Sequence, residues 1–194
     1  MGLTLPPPGV GVILLTLVLI AAVYDVRYRR IPNWLTAGGV LIGLAMNTFL
    51  SGWPGQGTFL HDGWPGLRLG LVGFGIAFAV NFVMYLLHFR GAGDVKLMAA
   101  IGATVGWANW FGIFLLSAIV AGLLSLIVVF ARKRAKTTFW NVTFLISELA
   151  SGRAPHLKRE ELDVSSGKAS RIPAGATIAI GTVFFLAVAA HFTQ

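Results

Sequence analysis

Two acidic residues, Asp25 and Asp94, are the residues of this sequence best suited to chemistry. Asp25 directly follows an apolar run, and Asp94 closes the segment Gly-Ala-Gly-Asp and begins the next run. An ionisable group at a membrane border is a functional candidate because removing it from water is costly. Two carboxylates that share a site do not both ionise easily, so one serves as general acid while the other takes a proton from water. The pair predicts peptide hydrolysis with neither metal nor cofactor.

The apolar runs on either side of these acids predict the fold. Of the 194 residues, 56% are hydrophobic and 11% charged, which excludes a soluble globule and a disordered chain. The absence of cysteine excludes a disulfide framework, a thiolate zinc site and cysteine catalysis. A spanning helix needs about 20 mostly apolar residues. We expect an all-α polytopic membrane protein with one membrane-embedded domain over 1–194, helices at 9–24, 34–50, 66–89, 95–107, 110–131 and 173–192, and a cytoplasmic loop at 132–171.

The distribution of positive charge predicts the orientation in the membrane. The formal net charge is +8, and every Lys and Arg except Arg68 falls after the first, third or fifth predicted helix. By the positive-inside rule these loops lie in the cytoplasm and both termini outside, so Asp25 and Asp94 share the cytoplasmic face. The basic balance therefore reflects topology in a lipid bilayer, and we expect no nucleic-acid partner.

The glycines before Asp94 predict a special backbone there. Gly91 and Gly93 permit positive φ angles or close packing, which would let a flexible loop place Asp94 below the membrane surface. If a turn starts at Gly106, the helix from Val95 to Val105 spans only about 17 Å, which is less than the bilayer core of about 30 Å. Asp94, at the other end of this short helix, would then lie inside the membrane boundary.

Each acid alone also has an ordinary structural interpretation. Asp94 is a suitable N-cap for the fourth helix, where the helix dipole favours negative charge. Asp25 is close enough in sequence to pair with Arg27 or Arg29. The pair is more informative than either acid because no other acids lie at helix ends on that face.

Three segments of the chain resemble the motifs of the type IV prepilin peptidases, membrane aspartic peptidases with a G-x-G-D-x-K motif. The first segment runs from Asp25 to Ile-Pro-Asn, and the second is Gly-Ala-Gly-Asp-Val-Lys. The third segment, Ile-Pro-Ala-Gly, looks like the family's Pro-x-Gly segment at the start of the last helix. The motif residues are Asp25, Pro32 and Asn33; Gly91, Gly93, Asp94 and Lys96; and Pro173 and Gly175.

The resemblance implies a substrate class. The family removes the short basic leader of prepilins and pseudopilins at the cytoplasmic face of the bacterial cytoplasmic membrane, and its catalytic pair corresponds to Asp25 and Asp94. The pilus assembly platform is a further candidate partner. Long family members carry an insert with Cys-x-x-Cys motifs between the first two helices, which goes with N-methylation. Only residues 26–33 separate those helices here, so the chain resembles the short form of tight-adherence (Flp-type) systems, with cleavage but no methylation.

Two other functions stay open at this point. A presenilin-like intramembrane protease also uses Tyr-Asp and Gly-x-Gly-Asp motifs, but its Pro-Ala-Leu motif is missing from this sequence. A small proton-coupled transporter would also hold buried acids, although no inverted repeat is visible. The four histidines have no ligand spacing, so we expect no metal site.

Overall fold

Five α-helices make up the part of the chain that the structure, a computed structural model, describes: residues 6–49, 59–131 and 173–192. They are α1 (Pro8–Tyr28), α2 (Asn33–Phe49), α3 (Phe59–Leu86), α4 (Ala92–Ala131) and α5 (Ala174–Phe192). These ranges contain no strand, and α1, α3, α4 and α5 are each long and apolar enough to cross a membrane. The all-α class is therefore confirmed for this part, and its four long apolar helices are consistent with a polytopic membrane protein. The predicted cytoplasmic loop at 132–171 lies outside the described residues.

The fourth and fifth predicted helices appear in the structure as one element, α4, which consists of two helices that meet at a kink. The turn expected at 106–109 is reduced to a single break at Gly106, whose φ of 76° and ψ of 171° are non-helical. Trp107, Ala108 and Asn109 continue as helix. Glycine suits this position because a positive φ is strained for residues with a Cβ. A Cβ at Gly106 would also lie 3.0 Å from the Leu69 side chain.

The break sends the second half of α4 (107–131) back toward the end at which α4 begins. The ring of Phe114 lies 5.3 Å from the guanidinium carbon of Arg90, which precedes α4. Farther along, Ala121 and Ser125 line the same cavity as Asp94. The two halves of α4 are therefore antiparallel, as two membrane spans joined by a tight turn would be.

The Asn47 side chain of α2 donates hydrogen bonds to backbone carbonyls next to the break. Its buried amide nitrogen donates to the carbonyl oxygens of Ala103 at 2.8 Å and Thr104 at 2.9 Å. The break removes the helical N–H groups that would otherwise bond carbonyls in this turn. In an apolar surrounding, each unpaired carbonyl costs about 1–3 kcal/mol, so this asparagine stabilises the break.

Close approach between helix backbones explains several glycines in the bundle. A Cβ at Gly73 of α3 would lie 2.8 Å from the Cα of Gly106. A Cβ at Gly43 of α2 would lie 3.0 Å from the Cα of Thr104. Small residues at such crossings let membrane helices pack closely, which is a main source of their association. The core around the crossings is apolar and includes Leu14, Val18, Leu97, Ile101, Trp110, Ile113 and Phe185.

Several helix boundaries differ from the sequence expectation. Helix α1 continues through Asp25 and ends at Tyr28, and the C-cap residue Arg29 adopts a left-handed conformation with φ of 52°. Helix α3 begins at Phe59 and ends at Leu86, and α4 begins at Ala92. The apolar runs mark the width of the apolar zone, whereas backbone hydrogen bonding continues into the charged flanks.

The glycine at the α3–α4 crossing gives a first test. We expect Gly73→Ala to lower the free energy of unfolding in detergent by about 1–3 kcal/mol, because the added methyl overpacks the contact with Gly106. Gly75→Ala on the same helix is the matched control, since its Cβ would meet nothing within 4 Å. Equal stability of the two variants in denaturant titrations would contradict this packing.

Candidate active site

Residues from all five helices or their links meet in a cavity of about 1130 Å³ at one end of the bundle. The end of α1, the start of α2, the link between α3 and α4, the start of α4 and the start of α5 all contribute to its lining. The cavity brings together eight of the nine motif residues predicted from sequence: Asp25, Pro32, Asn33, Gly91, Gly93, Asp94, Lys96 and Pro173. The ninth, Gly175, is hydrogen-bonded to one of the lining acids.

Asp25 lies in the last turn of α1 and contacts the first turn of α5. Its Oδ2 accepts a hydrogen bond of 2.7 Å from the backbone N–H of Gly175. The first N–H groups of a helix have no partner within the helix and carry partial positive charge, so they stabilise an anion. A Cβ at position 175 would lie 2.9 Å from the Asp25 Cβ. Glycine is therefore needed for the close approach of α5 to the acid.

Asp94 is the third residue of α4, not its N-cap. Its Oδ2 accepts from the backbone N–H of Gly91 at 3.3 Å, while the Gly91 carbonyl accepts the N–H of Asp94 at 3.1 Å. A side chain that reaches back from the third helical position to the N-cap N–H is one half of a capping box. The carboxylate thus stabilises the start of α4 and at the same time lines the cavity.

The special backbone expected at Gly91 and Gly93 is not observed. Gly106 is the only glycine with a positive φ in the described ranges. Cβ atoms at 91 and 93 would meet the Asp94 carboxylate at 3.6 Å and Ile31 at 3.4 Å, which are ordinary contact distances. The expected flexible loop is largely helical, because α4 already begins at Ala92. The Asp94 carboxylate is held instead by its hydrogen bond from the Gly91 N–H at the start of the helix.

Lys96 and Asn33 join two of the motifs. The Lys96 ammonium donates to the Asn33 side-chain oxygen at 2.9 Å. Pro32 precedes α2, and its carbonyl accepts from Leu35 at 3.2 Å. Asn33 is the first helical residue of α2, and its side chain accepts the hydrogen bond that links α2 to α4. Both polar side chains are exposed, so the bond fixes geometry more than it adds stability.

Cationic and aromatic groups surround the two acids. The Arg27 guanidinium carbon lies 5.8 Å from the Tyr28 ring centroid, whereas the partner of Asp25 is the N–H of Gly175. Tyr24 packs against the rings of Tyr28 and Trp34 at 5.5 and 6.2 Å. Tyr24 and Tyr28 line the cavity, so one wall of it is aromatic.

Arg90 was interpreted from sequence only as a topology signal, yet it is part of this site. Its guanidinium donates to the side-chain oxygen of Asn81 at 3.1 Å. Burial lowers the pKa of the Arg90 guanidinium from its usual range, and the nearby negative charge of Asp94 opposes that shift. The polar residue Asn81 in the middle of an apolar run is the sequence signal that could have indicated a buried polar partner for Arg90.

Ala121 and Ser125, which also line the cavity, are neighbours of the acids only because the break in α4 folds its second half back.

The sequence profile of the type IV leader peptidase family matches residues 12–126, more than half of the chain. The chain belongs to the type IV leader peptidase family. The matched range includes both Asp25 and Asp94 and ends before α5. The resemblance drawn from the three motifs is therefore confirmed at the level of the family.

Three similar proteins are also named as preflagellin or prepilin leader peptidases. The chain is 31% identical over 87 residues to a preflagellin peptidase of Methanococcus voltae and 33% identical over 87 residues to one of Methanocaldococcus jannaschii, 45% of this chain and 34% of each relative. It is 26% identical over 125 residues to a prepilin leader peptidase/N-methyltransferase of Myxococcus xanthus, 64% of this chain and 36% of the relative. The chain thus spans about a third of the length of these relatives. No solved structure matches it.

The contact between Gly175 and Asp25 gives a second test. We expect Gly175→Ala to lower the rate of leader cleavage by about tenfold or more, because the added Cβ displaces Asp25 from the N-terminus of α5. Gly11→Ala on α1 is the control, since a Cβ there would meet nothing within 4 Å. A Gly175→Ala protein that cleaves at the wild-type rate would show that this contact does not position the acid.

Proposed function

We propose that this leader peptidase family member is an aspartic endopeptidase whose catalytic residues are Asp25 and Asp94. The observation that supports the proposal most directly is that both acids line one cavity. Each carboxylate also accepts a backbone N–H at a helix start, from Gly175 for the first and from Gly91 for the second. These bonds hold the side chains of two helices at a common end, where water and an extended peptide can enter together.

Peptide hydrolysis follows from two carboxyl groups in different protonation states. The ionised carboxylate takes a proton from water, and the resulting hydroxide attacks the scissile carbonyl carbon. The protonated partner donates its proton to the peptide, finally at the leaving amine nitrogen, as the carbon–nitrogen bond breaks. The products are a carboxylate on the leader and a free amine on the mature protein. No group outside the chain and water enters this proton balance.

We further propose that the substrates are Flp-type prepilins and pseudopilins, cut after their basic leader at the cytoplasmic face of the bacterial cytoplasmic membrane. The cavity end carries Arg29, Arg30, Arg90 and Lys96, which supports a cytoplasmic location by the positive-inside rule. The apolar helix of the substrate would lie in the bilayer beside the bundle and present its leader to the cavity. The pilus assembly platform is the partner that would receive the processed subunit.

We also propose that cleavage occurs without N-methylation. Helix α1 ends at Tyr28 and α2 begins at Asn33, so only a short link separates them. That link is too short to contain a further domain, and the chain contains no cysteine for a Cys-x-x-Cys insert. The family membership favours leader processing over the presenilin-like and transporter alternatives.

The direct test uses purified protein in liposomes with a full-length Flp-type prepilin, read by intact mass. We expect the wild type to remove the leader and Asp25→Asn and Asp94→Asn each to lose about 100-fold or more of the rate, because each removes one proton-transfer group. Asp62→Asn, in the first turn of α3 and on the face expected to lie opposite the cavity, is the control for carboxyl loss and should cleave normally. With S-adenosylmethionine present, the product should gain no methyl mass. Cleavage by both active-site variants would contradict the catalytic assignment.

The pH dependence of cleavage tests whether the two acids act as one unit. Because the proposed reaction needs one carboxyl group ionised and the other protonated, the rate should rise and then fall with pH. Initial rates of leader removal across the acidic and neutral range would give this profile. A rate that stays constant over that range would contradict a shared-proton pair.

A further inference from the structure

Arg90 lies in the short link between α3 and α4, where the chain turns back on itself. Helix α3 ends with hydrogen bonds from Leu87 to the Val83 carbonyl and from Phe89 to the Met84 carbonyl. His88 adopts a left-handed conformation with φ of 61°. This helix end reverses the chain, so the Arg90 side chain runs back along α3 instead of into solvent.

Two neutral groups from different segments hold the guanidinium. The side-chain oxygen of Asn81 accepts its Nη1 at 3.1 Å, and the Asn81 amide nitrogen donates to the Ala77 carbonyl at 2.8 Å. Asn81 is fully buried, so the second bond fixes which side of the amide faces Arg90. On the other side, the guanidinium carbon lies 5.3 Å from the Phe114 ring centroid in the second half of α4. Such a cation–π contact strengthens when it is removed from water.

The side chains of Asn81 and Phe114 thus form a clamp around the Arg90 guanidinium. The position of Arg90 in the sequence links this clamp to Asp94. The next residue is Gly91, whose N–H donates to the Asp94 carboxylate. The two groups that hold the guanidinium are neutral, so its charge is not cancelled by them. Asp94 is close enough that its negative charge favours the protonated guanidinium, and the attraction acts equally in the other direction. A partly buried pair is screened by salt much less than an exposed one.

Other charged and titratable side chains also act on the acidic pair. Asp94 lines the same cavity as Asp25. His88 lies in the same link as Arg90, and its ring is hydrogen-bonded to the Leu86 carbonyl. The remaining titratable groups of the lining are Tyr24, Tyr28, Arg29, Arg30 and Lys96. Arg29, Arg30 and Lys96 are exposed, so water and ions screen them. Arg90 differs because it is partly buried and held on two sides.

We propose that Arg90 is a positioning residue of the peptidase site. Its contacts with Asn81 and Phe114 fix the segment that carries Asp94, and its charge offsets the cost of bringing two carboxylates together. This inference rests on the proposed function, in which Asp25 and Asp94 are the catalytic pair. The reaction itself is unchanged, since Arg90 acts through Asp94 and takes up no proton.

The first experiment measures leader cleavage over a range of pH in liposomes. We expect Arg90→Met to lower kcat about tenfold or more, with a smaller change in KM, and to move both limbs of the pH–rate profile to higher pH. Arg90→Lys should restore most of the pH profile, because it keeps the charge, but not the full kcat, because it loses the planar contacts. Arg27→Met, which removes an exposed cation that does not line the cavity, should behave as the wild type.

A second variant separates charge from structure. Asn81→Asp keeps the oxygen that accepts from Arg90 but loses the N–H bond to the Ala77 carbonyl. It also pairs the guanidinium with a new carboxylate, so less of the positive charge acts on Asp94. We expect the profile to move in the same direction as in Arg90→Met while the protein stays folded. A purely structural Arg90 would leave the profile of Asn81→Asp where the wild type has it. Wild-type kcat and wild-type profiles in both variants would overturn the inference.

A third measurement needs no peptidase activity. The chain has no cysteine, so Asp94→Cys provides a single thiol at the site. We compare its reaction rates with a negatively charged and a neutral thiosulfonate reagent. Adding Arg90→Met should lower the charged-to-neutral rate ratio about threefold or more, because the local positive potential falls. An unchanged ratio contradicts the inference. If the wild type cleaves no prepilin and the ratio still falls, the charge effect stands and the proposed function fails.

Discussion

The break at Gly106 is the feature on which the rest of the site depends. A continuous helix of 40 residues would extend about 60 Å, twice the apolar thickness of a bilayer. Its far half would then lie well away from the acids. The positive φ of Gly106 instead folds α4 into a hairpin, and Phe114, Ala121 and Ser125 return to the end where α4 starts. The same break exposes carbonyl groups, so a buried amide from α2 is required beside it.

Helix termini, not side-chain cations alone, supply the immediate partners of the two acids. The N–H of Gly175 at the start of α5 and the N–H of Gly91 at the start of α4 each bond a carboxylate oxygen. An antiparallel bundle brings the end of one helix beside the start of the next, and such ends carry unpaired N–H groups. The topology therefore creates anion-stabilising positions where α1, α4 and α5 meet. This requires small residues at the contact, which explains Gly175.

The sequence predicts the helices and the grouping of the motif residues, but it does not predict where helices end, the form of the kink in α4 or the contacts of Arg90. The apolar runs locate every described helix. The charge bias predicts that the motif residues share one end of the bundle, where eight of them line one cavity. Hydropathy could not reveal that α1 continues through Asp25, because backbone hydrogen bonding does not stop where the apolar run stops. Nor could it separate a four-residue turn from a break at Gly106, since the residues after that glycine are apolar in either case. The contacts of Arg90 depend on which residues of α3 and α4 face each other, which one sequence does not specify.

The cations that the positive-inside rule predicts to orient the chain lie at the same end of the bundle as Asp25 and Asp94, and this has a physical consequence. Two carboxylates in one cavity repel each other, and leaving water adds to the cost. Arg29, Arg30 and Lys96 line that cavity with them, and Arg90 is held inside it. A membrane protein needs positive charge on its cytoplasmic side for topology in any case. Placing the acids at that end therefore offsets part of their repulsion with charges that the topology already requires, whereas at the opposite end Arg68 is the only cation expected from the sequence.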